Sequence, residues 1–146
     1  MTDEHYRKLE NLFYSAPLNQ GIFEGSRMHV SERQAVYELS IGRQYFHAAE
    51  AMHGAIYFKL LDDAAYFAAA TLEQEYFILT KSYTIHFKRP VQEDALRAEG
   101  QVVSMGDREI IATSKILNSR GKVVAQGEGK FVKGPTLLSS LAGYAG

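Results

Sequence analysis

Between residues 55 and 72 almost every position is apolar. Ile56, Tyr57, Leu60, Leu61, Ala64, Ala65, Phe67, Ala68 and their neighbours leave no continuous polar face at helical spacing. A helix of that kind cannot stand on a surface and has to be wrapped by other structure. Lys59, Asp62 and Asp63 interrupt the stretch, which argues for a buried helix and against a membrane span.

The rest of the chain supplies the wrapping. Residues 76–88, 96–105, 109–117 and 123–132 are strand-like and carry almost no helical signal. Turn chemistry separates them at residues 90–94, 106–107 and 118–121, each break short enough for antiparallel neighbours, so the expectation is a four-strand meander. Within the first strand Tyr83, Ile85 and Phe87 alternate with Ser82, Thr84 and His86, as in a sheet packed on one side. Upstream, residues 28–41 read as strand material broken around Glu32 and Arg33. Residues 3–14 space Tyr6, Leu9, Leu12 and Phe13 as a helix, within an N-terminal helical segment 1–16 that Ala16-Pro17 ends. The tail, residues 135–146, has room for a docked helical turn and no clearer pattern.

The chain, 146 residues with 46% hydrophobic and 23% charged side chains, fits one domain over residues 1–146. The fold class is α+β, an antiparallel sheet curled around a central helix. With no cysteine there is no disulfide framework, thiolate metal site or thiol nucleophile, which suits a reducing compartment such as the cytoplasm. The charged first nine residues lack the apolar core of a secretion signal. A net charge of −1 argues against broad phosphate neutralisation and so against nucleic acid as a partner. The charge is uneven, −5 over residues 1–80 and +4 over residues 81–146, which leaves room for a basic surface facing a small phosphorylated ligand or for solvated strand faces.

Three elements carry a family resemblance. His53-Gly54-Ala55 opens the apolar helix, with Asp62 nine positions after the histidine. Phe87-Lys88-Arg89-Pro90 closes a strand before a polar turn, and residues 118–127 form a final hairpin pattern. In this order they resemble the hotdog-fold thioesterases of the phenylacetate-pathway and hydroxybenzoyl-CoA type, over most of the chain. The resemblance implies a hotdog fold and hydrolysis of an acyl-CoA, with coenzyme A arriving as part of the substrate and no separate cofactor. It also implies a homodimer or dimer of dimers that places the His-Gly turn and the carboxylate on opposite sides of the interface. It assigns the oxyanion-holding N–H groups to Gly54 and Ala55, where the family usually has a second glycine, and the attack to Asp62, as general base or nucleophile. Thr80, ten residues before Pro90, falls where related members hold the catalytic water, and His47 stands where Asn or Gln is common.

The chemistry is consistent with such a site. A thioester carbon is already electrophilic and a thiolate leaves readily, so the protein has only to stabilise developing charge on oxygen and deliver a nucleophile. Unpaired N–H groups at a helix amino end do the first. Composition alone reads Asp62 as a helix-surface carboxylate, and the motif is what singles it out. Asp63 points about 100° away, and Lys59, one turn earlier, is placed to pair with it. Arg89, Arg108 and Lys133 are candidates for the coenzyme A phosphates, and Gly106-Asp107-Arg108 reads as a hairpin turn before it reads as a phosphate loop. Glu50 and His53 make a single Glu-x-x-His spacing where a di-metal site needs two, so no metal is expected. Two other readings stay open: a hydroxyacyl dehydratase or hydratase with His47 as base and Asp62 or Asp63 as acid, and a non-catalytic acyl-CoA-binding module.

Overall fold

A computed structural model describes residues 2–145. The expected outer limits of the first helix and of the tail, Met1 and Gly146, lie outside them. The chain runs α1 (Thr2–Ser15), α2 (Pro17–Gln20), β1 (Arg27–Ser31), β2 (Gln34–Ile41), a 3-10 turn (Arg43–Tyr45), α3 (Gly54–Ala70), β3 (Tyr76–Phe87), β4 (Asp94–Met105), β5 (Ile110–Leu117) and β6 (Val123–Leu137). A second 3-10 turn (Leu138–Ser140) and α4 (Ala142–Ala145) follow. The six strands form one antiparallel sheet in the order β1-β2-β4-β5-β6-β3, with α3 packed against its inner face. This is the hotdog arrangement the sequence implied.

The wrapped helix is α3. Leu60, Leu61, Ala64, Ala65, Ala68 and Ala69 are fully buried, and truncating either leucine to alanine is worth about 3 kcal/mol of stability. The alanine-rich carboxyl half lets the sheet come close. A Cβ at Gly100 on β4 would overlap the Ala64 carbonyl, and Ser114 Oγ on β5 donates to the Leu61 carbonyl at 2.7 Å. At the helix end, Thr71 Oγ1 donates to the Ala68 carbonyl and His5 Nε2 to the Ala70 carbonyl, satisfying groups the helix itself leaves open. His5 Nδ1 therefore accepts from the Tyr144 hydroxyl at 2.7 Å, which docks the tail on α1; burial lowers the pKa of this histidine.

The meander is corrected. β3 does not pair with β4: it crosses to the far edge and pairs with β6, and β4 pairs with β2. Residues 88–93 are a bridge across the amino end of α3, not a hairpin turn. The Lys88 and Arg89 N–H groups donate to the Val124 carbonyl, Tyr57 donates to the Arg89 carbonyl, and Met52 N–H donates to the carbonyl of the buried Val91. Turn residues do not distinguish such a crossing from a hairpin. The break at Glu32 and Arg33 is a tight β1–β2 hairpin with Arg33 at φ 59°.

The two sheet edges differ. On β1, the Val30 N–H donates to Glu10 at 2.7 Å, the Arg7 guanidinium donates to the Val30 carbonyl, and the Met28 N–H donates to the Tyr14 hydroxyl at 2.9 Å. Side chains of α1 thus stand where a seventh strand would lie. Among the described residues β3 has no neighbour beyond it in the sheet.

Candidate active site

The amino end of α3 is set by His53, whose extended backbone caps the helix. Its Nδ1 accepts from the Ala55 N–H at 2.9 Å, which makes Nε2 the protonated nitrogen, and its carbonyl accepts from the Ile56 N–H. The Ala55 N–H, one of the two expected oxyanion donors, is therefore already bound within the chain. Among the described residues the Gly54 N–H has no acceptor. A Cβ at Gly54 would meet only the Phe87 ring, at 3.8 Å. The packing of this chain does not itself demand glycine there, so the space above the turn is open to a ligand or a second chain.

Two turns along, Asp62 is largely buried, and its Oδ1 accepts from Thr80 Oγ1 on β3 at 2.9 Å. Burial pushes its carboxyl up to about 6. The Thr80 bond and Lys59 pull it down, and Asp63 pushes it further up. Thr80 reaches Asp62 because β3 bulges at Lys81, where the pairing with β6 slips between Thr80 and Ser82. Ile78 is buried before the bulge, and after it Tyr83 and Ile85 turn inward. Thr80 has the opposite parity to Tyr83 yet shares its face, a role bulges often play beside active sites.

Tyr83 and Phe58 meet edge-to-face at 6.1 Å, and Tyr57 and Phe87 at 5.0 Å. Tyr83 shares a short hydrogen bond with Ser114, and burial pushes its hydroxyl up to about 12. Phe58 and Phe87 stay 41% and 58% exposed, so the apolar face expected at Phe87 is only partly covered by its own helix.

The other candidates are scattered. His47 is exposed in the loop before α3, 6.5 Å ring to ring from His53, and its Nδ1 accepts from the Ala49 N–H. Glu50 pairs with Arg43 and not with His53. Arg89 is exposed beside the amino end of α3. Arg108 sits in the β4–β5 turn, next to Glu109, which holds Lys81. Lys133 pairs with Glu73 at 3.6 Å and lies over the Tyr76 ring. Lys81 and Arg89 are eight residues apart, roughly 25 Å along an extended chain, so one chain does not gather Arg89 and Arg108 into one phosphate site. Residues the sequence reading passed over are Tyr83 and Ser114, whose chain of bonds to the Leu61 carbonyl fixes the helix turn carrying Asp62. Tyr83 leaves a trace in the sequence at Gly127 and Gly129 on β6, where a Cβ would overlap its ring and, at Gly127, the Thr84 carbonyl as well.

Residues 50–125 match the sequence profile of the thioesterase superfamily. No curated protein matches the sequence. Among solved structures, the PaaI protein from the phenylacetic acid degradation operon of E. coli superposes with a TM-score of 0.82 at 22% identity, over 93% of this chain and 97% of that one. Zebra fish thioesterase superfamily member 2 gives 0.76 at 18% identity, over 88% and 98%. A mutant of the phenylacetic acid degradation protein PaaI from Thermus thermophilus gives 0.72 at 19%, over 80% and 98%. At these identities the likeness is one of fold. No described helix is long and apolar enough to cross a membrane.

Proposed function

The chain belongs to the thioesterase superfamily, and from that premise we propose that it hydrolyses an acyl-CoA, with Asp62 as the reacting carboxylate and the Gly54 N–H as the holder of the carbonyl oxygen. The observation that carries this reading is Asp62 itself: a largely buried carboxylate, held by one threonine hydroxyl, with its proton affinity raised to about 6. A base of that strength is ionised at neutral pH and still basic enough to take a proton from water. Water then adds to the acyl carbon as Asp62 takes its proton. The C–S bond breaks, the thiolate leaves with coenzyme A, and Asp62 returns its proton to the products. Negative charge on the carbonyl oxygen in between is met by the Gly54 N–H and the positive end of α3.

One chain does not complete this arrangement. Gly54 and Asp62 are eight residues apart on one helix, about 12 Å along its axis, too far to touch one carbonyl group. The separation supports a site built from Gly54 of one copy and Asp62 of another, with the open β3 edge and the exposed Phe58 and Phe87 at the junction. Arg89, beside the helix end, is the residue best placed for the coenzyme A phosphates. His47, with its Nδ1 turned to its own loop, gives the dehydratase reading no support.

The test is thiol release from a panel of acyl-CoAs. Asp62→Ala is expected to lower kcat by about 100- to 1,000-fold, and in the unsubstituted chain the Asp62 carboxylate is expected to stay unlabelled after a single turnover in heavy-oxygen water. Equal hydrolysis by the variant overturns the proposal.

A further inference from the structure

Side chains of α3 and β3 meet in a series of rungs, and Asp62 belongs to one of them. From the amino end of the helix, Tyr57 meets Phe87 at 5.0 Å and Phe58 meets Tyr83 at 6.1 Å, ring centroid to ring centroid. Asp62 Oδ1 then accepts from Thr80 Oγ1 at 2.9 Å, and the Tyr66 hydroxyl donates to the Ile78 carbonyl at 2.6 Å. Phe58, Asp62 and Tyr66 are four residues apart in turn, so they stand one above another on one face of α3. Asp63 pairs instead with Lys59, whose ammonium lies over the Phe13 ring of α1. Asp62 is thus a carboxylate set between aromatic rungs, and the two rungs beside it differ. Tyr66 is buried and packs against Phe77 and Phe131 at 5.7 and 5.8 Å, which closes that side. Phe58 is exposed and Tyr83 only partly buried, so an acyl group whose carbonyl reaches Asp62 extends over the Tyr83 ring.

Beneath that ring the sheet is bare backbone. One edge of the ring lies over Gly127 of β6 and the other over Gly129, where a Cβ would come within 2.5 and 2.7 Å of ring carbons. The hydroxyl is held by Ser114 of β5, whose Oγ donates to the Leu61 carbonyl, so the ring reaches from β3 across β6 to β5 and is pinned between sheet and helix. Glycine inside a strand weakens it and marks a close approach. At Gly127 the Thr84 carbonyl shares that demand, whereas the atoms nearest a Cβ at Gly129 belong to the Tyr83 and Phe131 rings. Without the Tyr83 ring a trough would run from Phe58 down to the two glycines and Ser114. We propose that the Tyr83 ring is the floor of the acyl pocket and restricts the site to short acyl chains, because it fills the trough into which a longer chain would descend. The inference rests on the reading of Asp62 as the reacting carboxylate, and makes Tyr83 the specificity-determining residue beside it.

The experiment measures kcat/KM for thiol release from straight-chain acyl-CoAs, acetyl to palmitoyl, in the full chain. The original protein is expected to favour a short acyl group. In Tyr83→Ala the maximum moves to a longer one, with about fourfold in kcat/KM for each methylene that finds room. Tyr83→Phe keeps the ring and is expected to keep the original maximum. A ring that served packing alone would lower Tm and reduce kcat/KM by the same factor at every length. An unchanged maximum in folded Tyr83→Ala overturns the inference, as does an equal shift in Tyr83→Phe or a preference for long chains in the original protein. If Tyr83→Ala does not fold, Tyr83→Leu takes its place, with a smaller shift expected and an unchanged maximum again overturning the inference. The same panel titrated by calorimetry into Asp62→Asn, with and without the Tyr83 substitution, reads the length limit as Kd without turnover. Failure of the catalytic reading shows separately, as thiol release undiminished by Asp62→Ala or absent from the original protein, and the calorimetric profile then decides the inference by itself.

Discussion

The two edges of the sheet end in opposite ways. On β1, Glu10 takes the Val30 N–H, sits 3.1 Å from Arg7 and faces His29 at 3.5 Å, so the carboxylate is satisfied and the edge is closed. Beside β3, Asp62 has one hydroxyl partner and a raised proton affinity, and the strand next to it is unpaired on its far side. Unpaired edges invite another strand, and a chain that does not use an edge protects it. The guarded edge is closed by side chains of α1, whereas the open one keeps a carboxylate of raised proton affinity beside an unpaired strand.

The sharpest way to break this contrast is to charge the open side. Phe58→Lys with Phe87→Lys alters two side chains already exposed in one chain, so the fold is expected to survive. Light scattering is expected to report a monomer, with thiol release down by about 100-fold or more, since each composite site would be lost. Unchanged assembly and activity would show that the β3 side is not the junction.

Asp62→Asn asks what the open side costs the fold. The folded state holds the Asp62 proton more tightly than the unfolded chain, so stability declines as pH rises from the ordinary aspartate value of 3.8 to about 6. Above pH 6 the asparagine variant is relieved of that decline and is expected to be about 2 to 3 kcal/mol more stable in urea unfolding. Below pH 4 the difference should vanish.

The guarded edge gives the converse. Removing both of its clamps with Arg7→Ala/Glu10→Ala leaves the Val30 N–H and carbonyl without side-chain partners and is expected to cost about 2 kcal/mol. Tm falls and association rises with concentration, while kcat per folded molecule stays unchanged. The smallest effect belongs to Thr80→Val on the open side. Loss of its hydrogen bond raises the Asp62 midpoint above 6, and kcat/KM at pH 6 drops by about tenfold.

Much of this was legible from the residues. The apolar run of α3 could only be a wrapped helix, and eleven of its 17 residues are buried. The motif around His53 and Asp62 is local in sequence, and the structure sets His53 at the amino end of α3 and Asp62 within hydrogen-bond reach of Thr80. Strand order was not legible, since residues 88–93 look like a turn whether they join neighbours or bridge the helix. Thr80 was reached by motif position alone: strict alternation would have placed it outward with Ser82, and only the bulge at Lys81 brings it to Asp62. The capping of Ala55 by its own histidine depends on a side-chain rotamer, which no spacing pattern encodes.

The most direct measurement mixes two disabled chains. Asp62→Ala lacks the base. Gly54→Pro removes the N–H while keeping the helix start, because proline suits the first position of a helix behind an extended residue. Refolded together in equal amounts, the two variants are predicted to regain about a quarter of the original thiol release, the share expected when half the pairs are mixed and each holds one intact site. Mixtures no more active than either variant alone would contradict a site shared between two copies.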